Sequence, residues 1–189
     1  MSSSSTLMSA ATAWQIDPAH SHVEFAVRHL MISTVKGRFT DVQGSAILGE
    51  RGDTVAGVDV TIQTGSIDTR NEQRDGHLRS PDFFDVEQHP TMTFQSRRVE
   101  GSPLNGDFRV IGDLSIRGVT REITLKATSE GRGKDPWGGD RAGFSASAKI
   151  NRGDFGLTWN QALEAGGVVV SDEVKISIEV ELVAQKSGE

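Results

Sequence analysis

Apolar and polar residues alternate with a period of two through most of this chain. The pattern is clearest near the C-terminus, where Val174, Ile176, Ile178, Val180 and Leu182 alternate with charged and polar residues. A strand with one buried face has this period, because successive side chains point to opposite faces of a sheet. Similar rows are Val23, Phe25 and Val27; Val58, Val60 and Ile62; Phe108, Val110 and Leu114; Ile123 and Leu125; and Phe144, Ala146, Ala148 and Ile150. Helical spacing is scarce, so the pattern predicts an all-β protein.

The rows, and the turn signals between them, predict eight strands. These cover residues 13–30 with a break at Pro18, 33–48, 56–64, 91–101, 106–117, 119–131, 140–151 and 171–184. Asn105-Gly106 and Arg117-Gly118 are typical of tight turns, so neighbouring strands are expected to pair antiparallel. Long strands with one apolar face either stack as a sandwich or close into a barrel. The meander connectivity favours an eight-stranded, up-and-down, lipocalin-like barrel.

Two connections, residues 65–90 and 152–170, are much longer than a turn. Connections of this length inside a compact domain are usually functional. If the strands alternate up and down, both lie at the same end of the barrel, together with the turns after His29 and at Arg117-Gly118. We therefore expect the functional chemistry at this end.

Each long connection has a predicted structure of its own. Asn71 is a suitable cap for one short helix, which ends before Pro81. The second connection places Phe155, Leu157 and Trp159 beside glycines, and it is too apolar to lie only in water. We expect it to fold back over the opening or to pack inside the barrel.

Composition narrows the range of functions. The chain has 189 residues, which suits one domain over residues 13–184, with disordered arms at 1–12 and 185–189. It has no cysteine and a net charge of −6, and no basic patch is evident, so we expect no nucleic-acid partner. No apolar run is long enough for a membrane span, and the first residues lack the features of a signal peptide, so we expect a cytoplasmic protein.

Histidines are the main candidates for chemistry. His20 and His22 lie two residues apart, with Glu24 next on the same face, and this spacing can bind a metal. Strand parity points them outward, where such a pair is more often plain surface, so we predict no metal site. His29 continues the inward row of Val23, Phe25 and Val27. It could place a polar ring at the top of a cavity, or be a core histidine bonded to a backbone carbonyl.

The stretch HLRSPDFFDVEQHP, residues 77–90, gathers histidines and acids around a pair of phenylalanines. No nucleophile, oxyanion loop or metal triad accompanies them, so catalysis is the alternative here and a structured turn is preferred. We expect Phe83 and Phe84 to turn inward, held by Pro81 and Pro90, while the charged residues face water.

Five ordered segments together resemble one known family. They are WQIDPAHSHVEFAVRHLMISTVKGRF, SIDTRNEQRDGHLRSPDFFDVEQHPTMTF, GDLSIRGVTREITL, FSASAKINRGDFGLTWN and VSDEVKISIEVEL, which run from about Trp14 to Leu182. They strongly resemble the YceI-like family of polyisoprenoid-binding, lipocalin-like proteins. The resemblance implies a barrel whose apolar interior holds an isoprenoid or another long-chain lipid, such as a quinone, an isoprenoid precursor or a fatty acyl compound.

The resemblance and the strand pattern together predict a ligand-binding site without cofactor, metal or catalytic residues. Its predicted residues are Val23, Phe25, Val27, His29, Phe39, Val60, Ile62, His77, Leu78, Asp82, Phe83, Phe84, Met92, Phe94, Leu114, Ile123, Leu125, Phe144, Phe155, Trp159 and Ile176. Polar groups near the mouth, among them Arg117 and Arg152, are expected to select the headgroup. Two alternatives stay open, an enzyme acting on an isoprenoid substrate and a structural protein with a filled core. A homodimer is possible, although no exposed apolar stripe predicts one.

Overall fold

The computed structural model describes residues 11–185 of the chain. The predicted arm at 1–12 and tail at 185–189 lie largely outside the described residues, and Ala11 and Thr12 already belong to the first strand. Within the described range, no α-helix is long and apolar enough to cross a membrane.

The described chain is built from eleven strands and one α-helix. The strands are β1 (Ala11–Ile16), β2 (His22–His29), β3 (Ser33–Phe39), β4 (Val42–Gly49), β5 (Val55–Gln63), β6 (Ile67–Asp68), β7 (Thr91–Glu100), β8 (Asp107–Ile116), β9 (Val119–Lys134), β10 (Asp140–Asn151) and β11 (Val170–Ala184). The helix α1 (Glu72–Arg79) follows β6, and short 3-10 turns lie at Pro18–His20, Thr64–Ser66, Pro103–Asn105 and Arg152–Phe155. The predicted helix is confirmed, and the Asn71 side chain caps it by accepting from the Arg74 N–H at 2.9 Å.

Eight strands close into an antiparallel barrel. The ring runs β1, β4, β5, β7, β8, β9, β10 and β11, and β11 pairs with β1 to complete it. Strands β2, β3 and β6 continue the sheet from the other part of β11. The predicted all-β barrel is therefore confirmed, with extra strands at one end.

Two of the predicted strands are each divided into two. Residues 13–30 divide at the 3-10 turn Pro18–His20, as the break at Pro18 predicted. His20 therefore lies in a turn and does not share a strand face with His22, which corrects the predicted pairing. Residues 33–48 divide after Phe39, and both Phe39 and Val42 are buried, so the inward face changes from odd to even positions.

The long connections lie at one end of the barrel, as predicted. The backbone N–H of Leu30 donates to Val169 O at 2.8 Å, which joins the β2–β3 turn to the connection after β10. The Arg117 side chain, in the β8–β9 turn, donates to Phe83 O at 2.7 Å in the connection after β6. We call this the mouth end. The turns at 50–54, 101–106 and 135–139 lie at the opposite, far end.

A close contact between β2 and β3 shapes the wall near the mouth end. Phe25 and Gly37 are cross-strand partners, and a Cβ at Gly37 would lie 2.4 Å from Phe25 Cζ. The Phe25 ring therefore lies over the bare backbone of Gly37, and only glycine leaves room for it.

Candidate ligand cavity

The inward faces of the strands enclose a cavity of about 270 Å³ inside the barrel. Within residues 11–185, it is lined almost entirely by aliphatic and aromatic side chains, and only Glu24, Ser45, Ser145 and Arg152 add polar ones. A cavity of about 150 Å³ stays dry and holds one benzene-sized molecule when its walls are apolar. The barrel therefore has a dry interior large enough for a slim apolar ligand, and side chains do not fill it.

Most of the predicted site residues line this cavity; the exceptions are His29, His77, Asp82 and Trp159. His29 is half-buried at the end of β2. His77, Asp82 and Trp159 lie above the cavity at the mouth end. The structure adds lining residues that the prediction left out, among them Ile16, Val42, Ala46, Leu48, Val55, Val58, Phe108, Val110, Ile178 and Leu182. Several of these belong to the same period-two rows, so the signal for them was present in the sequence.

Phe83 and Phe84 both line the cavity, and they belong to different aromatic groups. Phe84 packs edge-on against Phe39, with ring centroids 5.8 Å apart, and Phe39 packs against Phe25 at 5.7 Å. The ring centroid of Phe83 lies 5.4 Å from that of Trp159, which belongs to the irregular connection after β10 at the mouth end. The pair therefore connects the β2–β3 wall to the connection after β10.

His77 lies between Phe83 and Trp159. Its ring packs edge-on against both, with centroid distances of 5.1 Å and 4.7 Å. Its Nε2 lies 2.8 Å from Asp82 Oδ2, and both side chains are about half exposed. The nearby Ser80 hydroxyl donates to His77 O, so it is bound to the backbone and is not paired with the imidazole. His77 and Asp82 thus form a polar rim above an aromatic layer.

One acid of residues 77–90, Asp85, departs from the prediction that the charged residues there face water, and Asp75, just before this stretch, is buried as well. Asp85 is buried at 8% exposure, with a left-handed backbone at φ 50°. Asp75, on α1, is buried and accepts from the Thr69 N–H at 2.9 Å and from the Thr69 hydroxyl at 2.5 Å. Asp75 therefore fixes the helix to the end of β6.

Arg152 borders the cavity, but its guanidinium is bound to backbone carbonyls. Four of its N–H groups donate to Leu157 O at 2.7 Å, Trp159 O at 2.9 Å, Ser171 O at 2.9 Å and Val170 O at 3.3 Å, and its Nη2 also forms an ion pair with Asp172 Oδ1 at 3.4 Å. Arg152 is 5% exposed, and burial lowers its pKa from the ordinary value. This corrects the expectation that Arg152 selects a headgroup. It holds the connection after β10 in place.

The far end of the barrel is closed by Trp14 and Arg132. Trp14 lies two residues before the lining residue Ile16, so it shares the inward face, and its cross-strand partners Ala46 and Ala184 are small. The Arg132 guanidinium lies 5.1 Å from the centre of the Trp14 ring and donates to Gly49 O and Glu50 O. Neither residue lines the cavity, which ends above them.

Among the described residues, one cluster of three side chains has the composition of a metal site. It consists of Asp17, His20 and Glu181. Arg141 already lies among them, because its Nη1 contacts Asp17 Oδ2 at 2.7 Å and Glu181 Oε1 at 2.5 Å. The hydrogen bonds from His20 and Arg141 lower the pKa of Asp17 to about 2. The guanidinium supplies the positive charge that a metal would bring, so we interpret the cluster as an ion-pair network.

These features define the class of the protein: a closed antiparallel barrel with a dry, apolar interior that reaches the mouth end. The chain belongs to the YceI-like family, because the model of the YceI-like domain matches residues 14–182. A UPF0312 protein of Pseudomonas aeruginosa is 41% identical over 166 residues, which cover 88% of this chain and 83% of the relative. Protein YceI of Salmonella newport is 40% identical over 180 residues, covering 93% and 89%.

Solved structures agree with this assignment. The Campylobacter jejuni YceI protein has a TM-score of 0.73 and 34% identity, covering 84% of this chain and 90% of that protein. A polyisoprenoid binding domain from Saccharophagus degradans has a TM-score of 0.63 and 17% identity, covering 92% and 99%. At that identity the likeness concerns the fold alone.

Proposed function

We propose that this protein binds one long-chain apolar molecule, of isoprenoid or similar type, inside the barrel for transport, storage or sequestration. The observation that carries the proposal is the dry cavity of about 270 Å³ with its apolar lining. Each buried CH₂ contributes about 0.8 kcal/mol, so one isoprene unit contributes about 4 kcal/mol before the cost of ordering the chain. Binding strength then comes from chain burial rather than from specific polar contacts. The proposed role is binding, and it needs no catalytic group or cofactor.

The polar groups favour a ligand with an uncharged head. Arg152 is the one cationic residue on the described lining, and it already donates four hydrogen bonds to backbone carbonyls and pairs with Asp172. Arg117 donates to Phe83 O, while His77 and Asp82 pair with each other. A carboxylate or phosphate drawn into the cavity would lose its water without gaining a cation. We therefore expect neutral prenyl compounds to bind better than fatty acids of equal length.

Native mass spectrometry tests this proposal. We expect the protein purified under mild conditions to carry an apolar molecule, and the delipidated protein to take up a prenyl alcohol. Leu125→Arg places a charge in the lining, whereas Thr124→Arg places the same charge on the exposed face of the same strand. Uptake is expected to fail in the first variant and to persist in the second.

Ala146→Leu is a milder test in case Leu125→Arg does not fold, because it fills part of the cavity without adding charge. It is expected to weaken the binding of long chains more than that of short ones. An empty wild-type barrel that takes up neither prenyl alcohols nor fatty acids would refute the proposed function. The predicted cytoplasmic location is a separate proposal, which cell fractionation tests.

A further inference from the structure

The turn between β2 and β3 exposes two large apolar side chains at the mouth end. Met31 is 55% exposed and Ile32 is 78% exposed. Single exposed apolar residues are common on proteins, but these two are adjacent, at the tip of a hairpin. We call residues 30–32 the mouth tip. Other exposed large apolar residues, such as Leu104 and Trp137, lie at the far end.

The backbone of the mouth tip is strained. Leu30 and Met31 have φ values of 52° and 60°, and the Ile32 N–H donates to His29 O at 3.2 Å to close the turn. Two successive left-handed residues are the geometry for which Asn-Gly is favoured in hairpins. Large apolar residues adopt it at a cost, and strain of this kind gathers at functional sites.

The mouth tip is held rigidly in its exposed position. Leu30 N–H donates to Val169 O at 2.8 Å, and the Arg28 guanidinium donates to Met31 O at 2.9 Å and to Thr34 Oγ1 at 3.3 Å. The exposed apolar side chains are therefore presented by a braced turn.

Three basic residues without an ion pair lie on the strands below the mouth tip. Within residues 11–185, Arg28, Lys36 and Lys175 have no carboxylate within 4 Å. Lys175 and Lys36 are both cross-strand partners of Ala26, so they form one outward row. At about 3.3 Å per residue, Lys36 lies roughly 13 Å from Ile32 along β3.

Two acids beside that row form ion pairs. Glu173 pairs with Lys149 at 3.5 Å and Asp172 with Arg152 at 3.4 Å. Three exposed acids on this side have no ion pair among the described residues: Glu24, two positions from Ala26 on the outward face of β2, and Asp154 and Glu164 on the neighbouring connection. Arg28 and Lys36 lie on the two outward rungs of the β2–β3 hairpin nearest the mouth tip, and Glu24 lies on the third. The charge next to the tip is therefore positive and favours an anionic partner, although the whole chain carries a net charge of −6.

We propose that the mouth tip docks the barrel onto a membrane surface that contains anionic lipid. Two side chains are far too small an area for a stable protein interface. They are sufficient for shallow, reversible insertion at the boundary between headgroups and acyl chains, where basic residues add attraction to anionic lipids. Docking there brings the mouth of the cavity to the surface from which an apolar ligand would be taken up or released, and this use rests on the proposed function.

Co-sedimentation with phosphatidylcholine vesicles, with and without phosphatidylglycerol, tests the docking. We expect Ile32→Glu to weaken vesicle binding by about tenfold or more, because an apolar contact is lost and a like charge is added. Trp137→Glu makes the same change at the far end and is expected to bind as wild type does. Lys36→Gln is expected to weaken binding only to vesicles that contain phosphatidylglycerol.

A double variant distinguishes the backbone strain of the mouth tip from the membrane contact of its side chains. Leu30→Asn with Met31→Gly suits the turn geometry, so the thermal midpoint should rise while vesicle binding falls. Wild-type vesicle binding in Ile32→Glu, or an equal loss in Trp137→Glu, would overturn the docking proposal. Uptake of a prenyl alcohol from a solvent dispersion, without vesicles, distinguishes the docking proposal from the proposed function. This uptake should be unchanged in Ile32→Glu. If the wild-type protein takes up no prenyl alcohol, that result counts against the proposed function alone.

Discussion

Replacement of Arg152 by Met tests whether one buried cation holds the connection after β10. Of its acceptors, Val170 O keeps a second donor, the Asn160 side-chain amide at 2.7 Å, and Asp172 is 68% exposed and can turn to water. The carbonyls of Leu157, Trp159 and Ser171 lose the Arg152 donors. A buried acceptor left without a partner costs about 1–3 kcal/mol, and the low end applies because two of these bonds are only partly buried.

The sum is about 3 kcal/mol of unfolding free energy, and relief from burying the guanidinium offsets part of it. For a domain of this size we expect the thermal midpoint to fall by about 5–10 °C. Differential scanning calorimetry measures it, with Asp172→Asn as the control that leaves the carbonyl bonds intact and changes the midpoint little. A midpoint in Arg152→Met equal to that of Asp172→Asn would refute the account of Arg152 as the residue that holds this connection.

Two further predictions concern the wall of the barrel and the ion-pair network. Gly37→Ala should push the Phe25 ring into the cavity, lower the free energy of unfolding by about 1–3 kcal/mol in urea titration and weaken ligand uptake. Gly57→Ala is the control, because a Cβ there meets its nearest atom at 3.9 Å. Equal effects of the two changes would contradict the packing argument. The pKa of Asp17 is about 2 in the folded protein against an ordinary 3.8, so its stabilisation is complete above about pH 4 and is lost as the pH falls through 2. Asp17→Asn should therefore lower the urea midpoint at pH 6 and flatten its decline between pH 4 and 2, and an unchanged acid limb would count against this assignment.

The period of two in the sequence predicts the strands and most of the lining residues, and the meander connectivity predicts that the strands close into a barrel. The alternation is informative because successive side chains of a barrel strand face the apolar interior and the water outside in turn. The division of residues 33–48 was also visible in principle, since the inward face passes from Phe39 to Val42 across two exposed positions. The prediction of one strand over residues 33–48 is therefore wrong at this point.

The roles of single polar residues could not be predicted in this way. Arg152 was placed near the mouth correctly, but whether its donors were free depended on the path of residues 157–171, which no local pattern determines. Asp85 is predicted to face water, as aspartate residues usually do, but the turn that it occupies buries its side chain. Arg132 shares a sheet face with its buried partner Ala142 because the register of β9 against β10 shifts between Gly143 and Phe144, where Glu130 has no partner. The residues alone do not indicate that shift.

Closure of the far end by Trp14 and Arg132 makes the barrel a blind tube. Under the proposed function, a lipid chain enters this tube with its apolar tail first and leaves by the same route with its head first. A second molecule cannot follow from behind and push the first one out. Exchange therefore requires the bound chain to withdraw first. The exchange rate is then set by the mouth end and does not depend on the concentration of the incoming lipid.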